Sequence, residues 1–368
     1  MKPTATIRTV PEDFLVEEVP LYEPSGQGAH LFLHIRKTGL TTFDCVNALA
    51  SAFRVAPQDI GYAGLKDKHA ITTQTLSVPW PEHVTAPPPS VRFPGLEVLD
   101  AKRHGNKLRA GHLLANRFRL VLRRIARKDL DVVVNTLRDV ARQGVPNAFG
   151  PQRFGRDGDN PARALVWLRG ETRPPRDPRQ RKLLFSSVQA WLFDLVLAQR
   201  LAEGTWNTVV RGDVVKTRSH GGLFTCEDEQ TDAARAQRGE VTATGPIYGA
   251  KMRWPTGVPE RLEREILERH LGAPSLLEAT TKLGAGSRRP LRILPENLSV
   301  QTLPSETDPE EGALEVQLTL PKGAYATTLL ATACELRDAS DRRHAAPNGG
   351  NLASSHDELS HDSQPASG

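Results

Sequence analysis

The sequence predicts an α+β fold, and three observations carry the prediction. Several short segments alternate apolar and polar residues with the period of a strand: Leu31, Leu33 and Ile35 in residues 30–36, Phe118, Leu120 and Leu122 in residues 117–122, and Leu314, Val316, Leu318 and Leu320 in residues 314–320. Other segments space their apolar residues as a helix does, among them Phe43, Val46, Leu49 and Phe53, and then Leu130, Val133, Val134 and Leu137. The texture changes near Gly158, where a basic, proline-broken connector over residues 173–179 leads to a further helix and short strands. At 368 residues the chain exceeds one average domain and can bury at least one sizeable core.

Taken in order, the first elements are a basic residue, a Pro-Glu-Asp turn and a short strand, Arg8 to Glu18, with Phe14 facing inward. The strand over residues 30–36 turns His30 and His34 to one face; with no third ligand nearby they read as solvent-exposed polar positions rather than a metal pair. Thr42 reads as the N-cap of the next helix, and residues 71–78, rich in Thr, Val and Leu, as a strand. Prolines crowd residues 79–94 and mark an exposed connection. Residues 97–108 return to a strand and a basic turn. Asp129 reads as the cap of the following helix, which stops near Gly144 and Pro146. Beyond the connector, Ser186 or Ser187 reads as the cap of a helix carrying Val188, Trp191, Leu192 and Leu195, with Gly204 past its end. Residues 260–271 form a charged amphipathic helix with Leu262, Ile266 and Leu271 inward, and a basic segment, Arg288-Arg289-Pro290-Leu291-Arg292, rejoins the first domain. From Asp338 onward only Leu352 and Leu359 are large and apolar, which predicts a disordered tail with His356 and His361 in solvent.

Charge narrows the partner. The formal net charge is +5 and the isoelectric point about 9.2. From Lys102 to Lys128 there are ten Lys or Arg and no Asp or Glu, which suits a sheet face that follows a phosphate backbone. Cys45, Cys226 and Cys334 lie far apart without metal-ligand spacing and read as reduced core residues of a cytoplasmic protein. No long apolar run follows the early lysine and none approaches a membrane span, so neither a signal peptide nor a membrane partner is expected.

Three stretches carry chemistry. In Gly61-Tyr62-Ala63-Gly64-Leu65-Lys66-Asp67-Lys68-His69-Ala70-Ile71-Thr72-Thr73-Gln74, two glycines that permit sharp turns or close approach lead to one carboxylate among Lys66, Lys68 and His69. That setting favours the ionised carboxylate, which can act as nucleophile, base or electrostatic partner. On composition alone, a solvated charged turn is the better reading. Asn147-Ala148-Phe149-Gly150-Pro151-Gln152-Arg153-Phe154-Gly155 sets an amide, two aromatics and an arginine among glycines, a surface suited to a nucleobase or equally to a buried turn. Leu320-Pro321-Lys322-Gly323-Ala324-Tyr325-Ala326-Thr327 ends a strand with an aromatic that suits either the core or a substrate.

Together these stretches resemble the tRNA pseudouridine synthase D family. Gly64, Lys66, Asp67, Lys68, Ala70, Thr72 and Gln74 fill its Gly-x-Lys-Asp-Lys-x-Ala-x-Thr-x-Gln signature, and the other two motifs follow in the family's order. The resemblance implies that Asp67 is the catalytic aspartate and that Phe14, Asn147, Phe149 and Tyr325 border the uridine. It makes Arg8 the charge partner of Asp67, where the family more often has lysine; arginine keeps the charge but offers a planar fork. The family's Arg-Glu pair after the third motif is replaced here by residues 329–335, so no role for that arginine carries over. The implied fold is a pseudouridine-synthase-like α+β catalytic domain around a mixed, largely antiparallel sheet, residues 1–156 and 289–337. An inserted α/β domain, residues 157–288, interrupts it, and a tail, 338–368, follows.

The implied reaction is isomerisation of uridine to pseudouridine in tRNA, at position 13 by family expectation. It needs no metal, nucleotide or redox cofactor, since it consumes neither electrons nor energy and no nucleotide-type phosphate loop is present. Phe14, Phe149 and Tyr325 would hold a base taken out of its stack while Asn147 reads a polar edge. The partner is tRNA, no obligate protein partner is implied, and the default is a monomer. Two rivals stand beside this reading: a non-catalytic RNA-binding protein or chaperone in which Asp67 is structural, and a hydrolase of nucleosides or RNA. The second calls for an acid–base partner that only Glu12, Asp13 or His69 could supply.

Overall fold

The computed structural model describes residues 2–155, 157–272, 282–304 and 308–340. Strand β1 (Thr4–Ile7) leads through a single 3₁₀ turn, Pro11–Asp13, into β2 (Phe14–Pro20), then β3 (His30–Thr38), helix α1 (Thr42–Phe53), β4 (Gly61–Tyr62), β5 (Ile71–Pro79), β6 (Leu96–His104), the long β7 (Leu113–Ala126) and α2 (Leu130–Gln143). After a two-residue strand β8 (Val145–Pro146) come α3 (Asn160–Leu168), α4 (Pro178–Ala202), β9 (Val214–Thr217), β10 (Leu223–Thr225), α5 (Glu229–Gln237), β11 (Val241–Ile247), α6 (Gly257–Leu271) and β12 (Ser287–Pro290). The chain returns as β13 (Arg292–Ile293), β14 (Glu296–Leu303), β15 (Glu311–Pro321), α7 (Ala326–Ala333) and β16 (Glu335–Asp338).

The first and last parts build one mixed sheet in the order β14-β15-β7-β2-β5-β3-β6, with β1, β16 and β4 attached at its sides. Only β2–β5 and β1–β16 pair in parallel; the rest is antiparallel. The period-two patterns are answered by burial: Leu120, Leu122, Leu314, Val316 and Leu318 pack with α2 and α7, while Leu31, Leu33 and Ile35 pack with α1. A second sheet, β10-β9-β11-β12, carries α3 to α6. Its α4 is apolar on two sides, with Val188, Leu192 and Val196 toward α3 and α6, and Phe193 and Leu197 toward the sheet and α5. A helix buried on both sides needs apolar residues on both, which is why its one-sided amphipathicity is weak.

The two sheets meet at a crossing of chain. Strand β8 leaves the large sheet and pairs antiparallel with β13 on its way back, Arg292 opposite Pro146. Arg292 clasps the crossing, donating to the carbonyls of Gln143 (2.5 Å), Ala236 (3.0 Å), Arg142 (3.2 Å) and Asn207 (3.3 Å). The boundary placed at 288/289 falls inside β12, so the second sheet keeps its last strand through Pro290.

Several local expectations are corrected. Helix α1 is capped by Thr41, whose hydroxyl accepts from the Asp44 amide at 3.1 Å while the Asp44 carboxylate accepts from the Thr41 amide at 2.7 Å, a closed capping box. Thr42 is the first helical residue, and its hydroxyl is buried beneath the Asp67 loop. Two adjacent threonines both satisfy capping chemistry, and only burial separates them. Asp129 stands at the N-cap of α2 but makes no capping bond, because a 3₁₀ turn, Arg127–Asp129, already leads into the helix. Helix α4 starts at Pro178 under an Asp177 cap, with Ser186 and Ser187 inside it donating back to the Leu183 and Leu184 carbonyls. The proline taken for a breaker is a first-turn proline, where no amide hydrogen is needed. Asp338 belongs to β16, so regular structure passes the expected start of the tail; residues 341–368, with His356 and His361, lie outside the described residues.

Part of the acid-free run is balanced across the sheet. Glu17 of β2 pairs with Arg117 (2.7 Å), Glu315 of β15 with Arg119 (2.6 Å) and the buried Asp13 with Arg123 through both carboxylate oxygens. The acids absent from the run arrive from neighbouring strands.

Candidate active site

The Asp67 loop spans the gap between β4 and β5, and each end is fixed. Gly61 passes so close to the Leu108 carbonyl oxygen that a Cβ would stand 2.1 Å from it, which excludes any other residue there. The backbone inside the loop is held by buried polar groups: the Lys66 amide donates to the Thr42 hydroxyl (3.0 Å), which donates to Gln74 Oε1 (3.2 Å). Lys37, fully buried on β3, donates to the backbone carbonyl of Asp67 at 2.6 Å and to that of Leu40 at 2.7 Å. Burial draws the Lys37 ammonium down to about 8. Lys66 does not serve Asp67; its ammonium makes a buried pair with Glu18 at 2.6 Å.

The Asp67 carboxylate itself projects into solvent, its side chain 61% exposed, and receives Arg8 Nη2 at 3.1 Å. Arg8 ends β1 with φ +57°, a left-handed conformation that costs a non-glycine residue about 1 kcal/mol and turns the side chain back across the sheet. Its other terminal nitrogen pairs with Asp338 at the end of β16, and its guanidinium lies 4.1 Å from the Phe14 ring centroid. Phe14 is buried, edge-on to Phe118, and supports Arg8 from below rather than facing solvent. Strand alternation wins at Phe14 because both neighbours of its strand are covered by helices.

Asn147 and Phe149 lie where β8 leaves the crossing, in a second cluster. Asn147 is buried and its amide is spent inside the chain, Nδ2 donating to the Pro290 carbonyl (2.8 Å) and Oδ1 accepting from Arg289 Nη2 (2.5 Å). Arg289 stacks on Phe149, 4.0 Å from its centroid, with Arg153 at 5.7 Å. The Phe149 amide is held by the Asp194 carboxylate at 3.0 Å, and burial raises that carboxyl to about 6, opposed by the Phe149 bond and by Arg289. Tyr325, the N-cap residue of α7, is half exposed and stands two residues after Gly323, where a Cβ would lie 3.8 Å from Arg289 Nη1.

Asp67, Arg8 and Phe14 are thus in direct contact, as are Asn147 and Phe149 with Arg289; among the described residues no contact joins the two clusters directly. A relay of two hydrogen bonds does, Gly111 N–H to the Ala63 carbonyl (2.8 Å) and the Lys322 side chain, from Nζ, to the Gly111 carbonyl (3.1 Å), one residue before Gly323 and three before Tyr325. Lys37, Asp194, Asp338 and Arg289 carry no motif. Lys37 alone had a signal, since it continues the buried face Leu31, Leu33, Ile35. Among the described residues no group of three or more His, Cys, Asp or Glu is placed to hold a metal ion, and no helix is long and apolar enough to cross a membrane.

Comparison with known proteins accounts for this arrangement. The family model "tRNA pseudouridine synthase D (TruD)" matches residues 3–161 and 176–332. Among curated relatives, a tRNA pseudouridine synthase D from an Anaeromyxobacter species is 43% identical over 334 residues, covering 88% of this chain and 91% of its own. One from Thermus thermophilus is 39% identical over 324 residues, covering 88% and 87%. A crystal structure from Methanosarcina mazei, described as a tRNA pseudouridine synthase D, superposes with a TM-score of 0.67 at 21% identity, over 91% of this chain and 94% of that one, and so shares the fold. The chain belongs to the tRNA pseudouridine synthase D (TruD) family.

Proposed function

We propose that this chain isomerises uridine to pseudouridine in tRNA, at position 13, with Asp67 as the carboxylate that carries the reaction. The bond from sugar C1′ to uracil N1 breaks, the uracil turns, and C1′ joins C5; C5 loses a proton and N1 gains one, so atoms and electrons balance without an oxidant. The observation that carries the reading is Asp67 itself: a solvent-facing carboxylate whose backbone is anchored by a buried lysine and whose oxygen is oriented by Arg8. A nucleophile needs such access together with fixed geometry. Arg8, braced by Asp338 and Phe14, keeps the carboxylate aimed. Tyr325 and Phe149 supply planes for a base drawn out of its stack, with Asn147 placing the group that meets its polar edge. A tRNA substrate supports a cytoplasmic protein, and the form proposed is a monomer.

The test is pseudouridine mapping on tRNA transcribed in vitro. Wild-type protein converts one uridine, and Asp67→Asn converts none while still binding the tRNA. Equal conversion by Asp67→Asn would sink the assignment of the carboxylate. Binding without conversion by either protein would mean an RNA-binding protein, and released uracil or shortened RNA a hydrolase.

A further inference from the structure

Among Arg200, Arg288, Arg289 and Arg292, the arginines at the crossing and in the second sheet, Arg289 differs in how its charge is met. Arg288 is paired through two nitrogens with the buried Glu263, and Arg200 with the buried Asp213, while Arg292 spends its donors on four backbone carbonyls. Arg289 has no carboxylate within ion-pair distance among the described residues, although burial is strong enough to draw its guanidinium down to about 10. Its Nε donates to the Asn147 carbonyl at 3.2 Å, and its Nη2 donates to that carbonyl and to Asn147 Oδ1. Nη1 has no hydrogen bond among the described residues. That nitrogen faces Gly323, 3.8 Å from where a Cβ would stand, in the turn that presents Tyr325. The guanidinium is thus half-buried on the Phe149 ring with one donor edge unused, and Asp194, which acts on it from beyond ion-pair distance, meets its charge only in part.

We propose that Arg289 is a substrate-contact residue of the isomerisation, donating from Nη1 to a carbonyl oxygen of the target uracil. The inference rests on the uridine-isomerising reading above. Asn147, whose amide is turned inward, acts by holding Arg289 in register, and the Phe149 face fixes the plane of the guanidinium. When C1′–N1 breaks, the bonding pair stays with the uracil and spreads from N1 onto its carbonyl oxygens. A fixed guanidinium at one of those oxygens stabilises the detached ring while it turns. The open edge lies beside the turn that presents the half-exposed Tyr325, which suits a base oxygen better than a backbone phosphate.

The test measures kcat and KM for full-length Arg289→Met and Arg289→Lys on transcribed tRNA, with circular dichroism to confirm folding. It repeats the measurement on tRNA carrying 2-thiouridine or 4-thiouridine at the target, since sulfur accepts hydrogen bonds weakly. Loss of one donor to developing charge lowers kcat about a hundredfold, with KM changed less than about threefold. One of the two thio substrates should slow the wild type, and Arg289→Met should not add its full penalty on that substrate. Unchanged kcat, a rise in KM alone, or thio and Arg289 penalties that multiply independently would each overturn the proposal. If Arg289→Met fails to fold, Arg289→Lys and the wild-type thio comparison decide, because equal wild-type rates on oxo and thio tRNA also overturn it. A wild type that converts no uridine defeats the functional reading and this proposal together; a wild type that converts while Arg289→Met keeps its kcat defeats this proposal alone.

Discussion

The arginine face of β7 and the neighbourhood of Asp67 and Arg289 hold charge in opposite ways. On β7, Arg117, Arg119 and Arg123 each meet a carboxylate from β2, β15 or the turn before β2. At the site, Lys37 is held by the carbonyls of Asp67 and Leu40, and Arg289 by the carbonyl and amide of Asn147, all of them neutral acceptors. A carboxylate cancels a cation's field as well as fixing its position. A carbonyl fixes the position and leaves most of the field for something else to feel. Pairing balances the charges that build the sheet, whereas neutral tethering at Lys37 and Arg289 positions a charge without cancelling it.

Replacing a tether should break this contrast most strongly. Lys37→Met removes the donor that fixes the Asp67 backbone, and a displacement of about 1 Å at a nucleophile costs on the order of a hundredfold in kcat. KM for tRNA should hold, because Lys37 is buried and touches no substrate; a KM effect with kcat intact would show that it merely supports the fold. The same residue has a stability signature. Its pKa is depressed to about 8 in the folded protein from 10.5, so between those values the unfolded chain binds more protons and the wild type gains stability as pH rises. Below about 8 both states are protonated and the burial penalty is fully present. Urea denaturation at pH 7 and pH 9.5 should show the wild type gaining on Lys37→Met at the higher pH, and parallel curves would refute it.

Breaking a structural pair comes next in size. Arg123→Met leaves the buried Asp13 without its bidentate partner, which should cost about 3 kcal/mol in denaturant unfolding. At a temperature where the variant stays folded, kcat should match the wild type, and a selective loss of kcat would move Arg123 into the site. The smallest effect belongs to Arg117→Ala, whose pair with Glu17 is exposed on both sides: within about 1 kcal/mol of stability. Its charge is already balanced, so the salt dependence of tRNA binding should scarcely change. A slope reduced by about one unit would show that Arg117 meets a phosphate after all.

Alternation and helical spacing were enough to place β2, β3, β5, β6, β7 and β15 with α1 and α2, because one buried face imposes its period directly on the residues, but they did not mark β1, β14, β16 or α7. They failed where two neighbouring residues satisfy the same local rule. Thr41 and Thr42 can both cap, and Pro178 can stop a helix or begin one. The arginines of β7 within the acid-free run were read too simply for a related reason: a residue's counter-charge across a sheet is near in space and far in sequence.

What the sequence determined alone was the family and the candidate nucleophile, since Asp67 and its flanking residues form one contiguous motif whose chemistry is local. The tertiary structure decided which charges stand free. Lys66 beside Asp67 is spent on Glu18, whereas Lys37, thirty residues away, holds the Asp67 backbone. Asp338, 330 residues away, braces Arg8, and Arg289, adjacent to a fully paired Arg288, is left with an open edge. Whether a charge is cancelled depends on what packs within a few ångströms of it, and the sheet register and the crossing of β8 with β13 set that, not the order of residues along the chain.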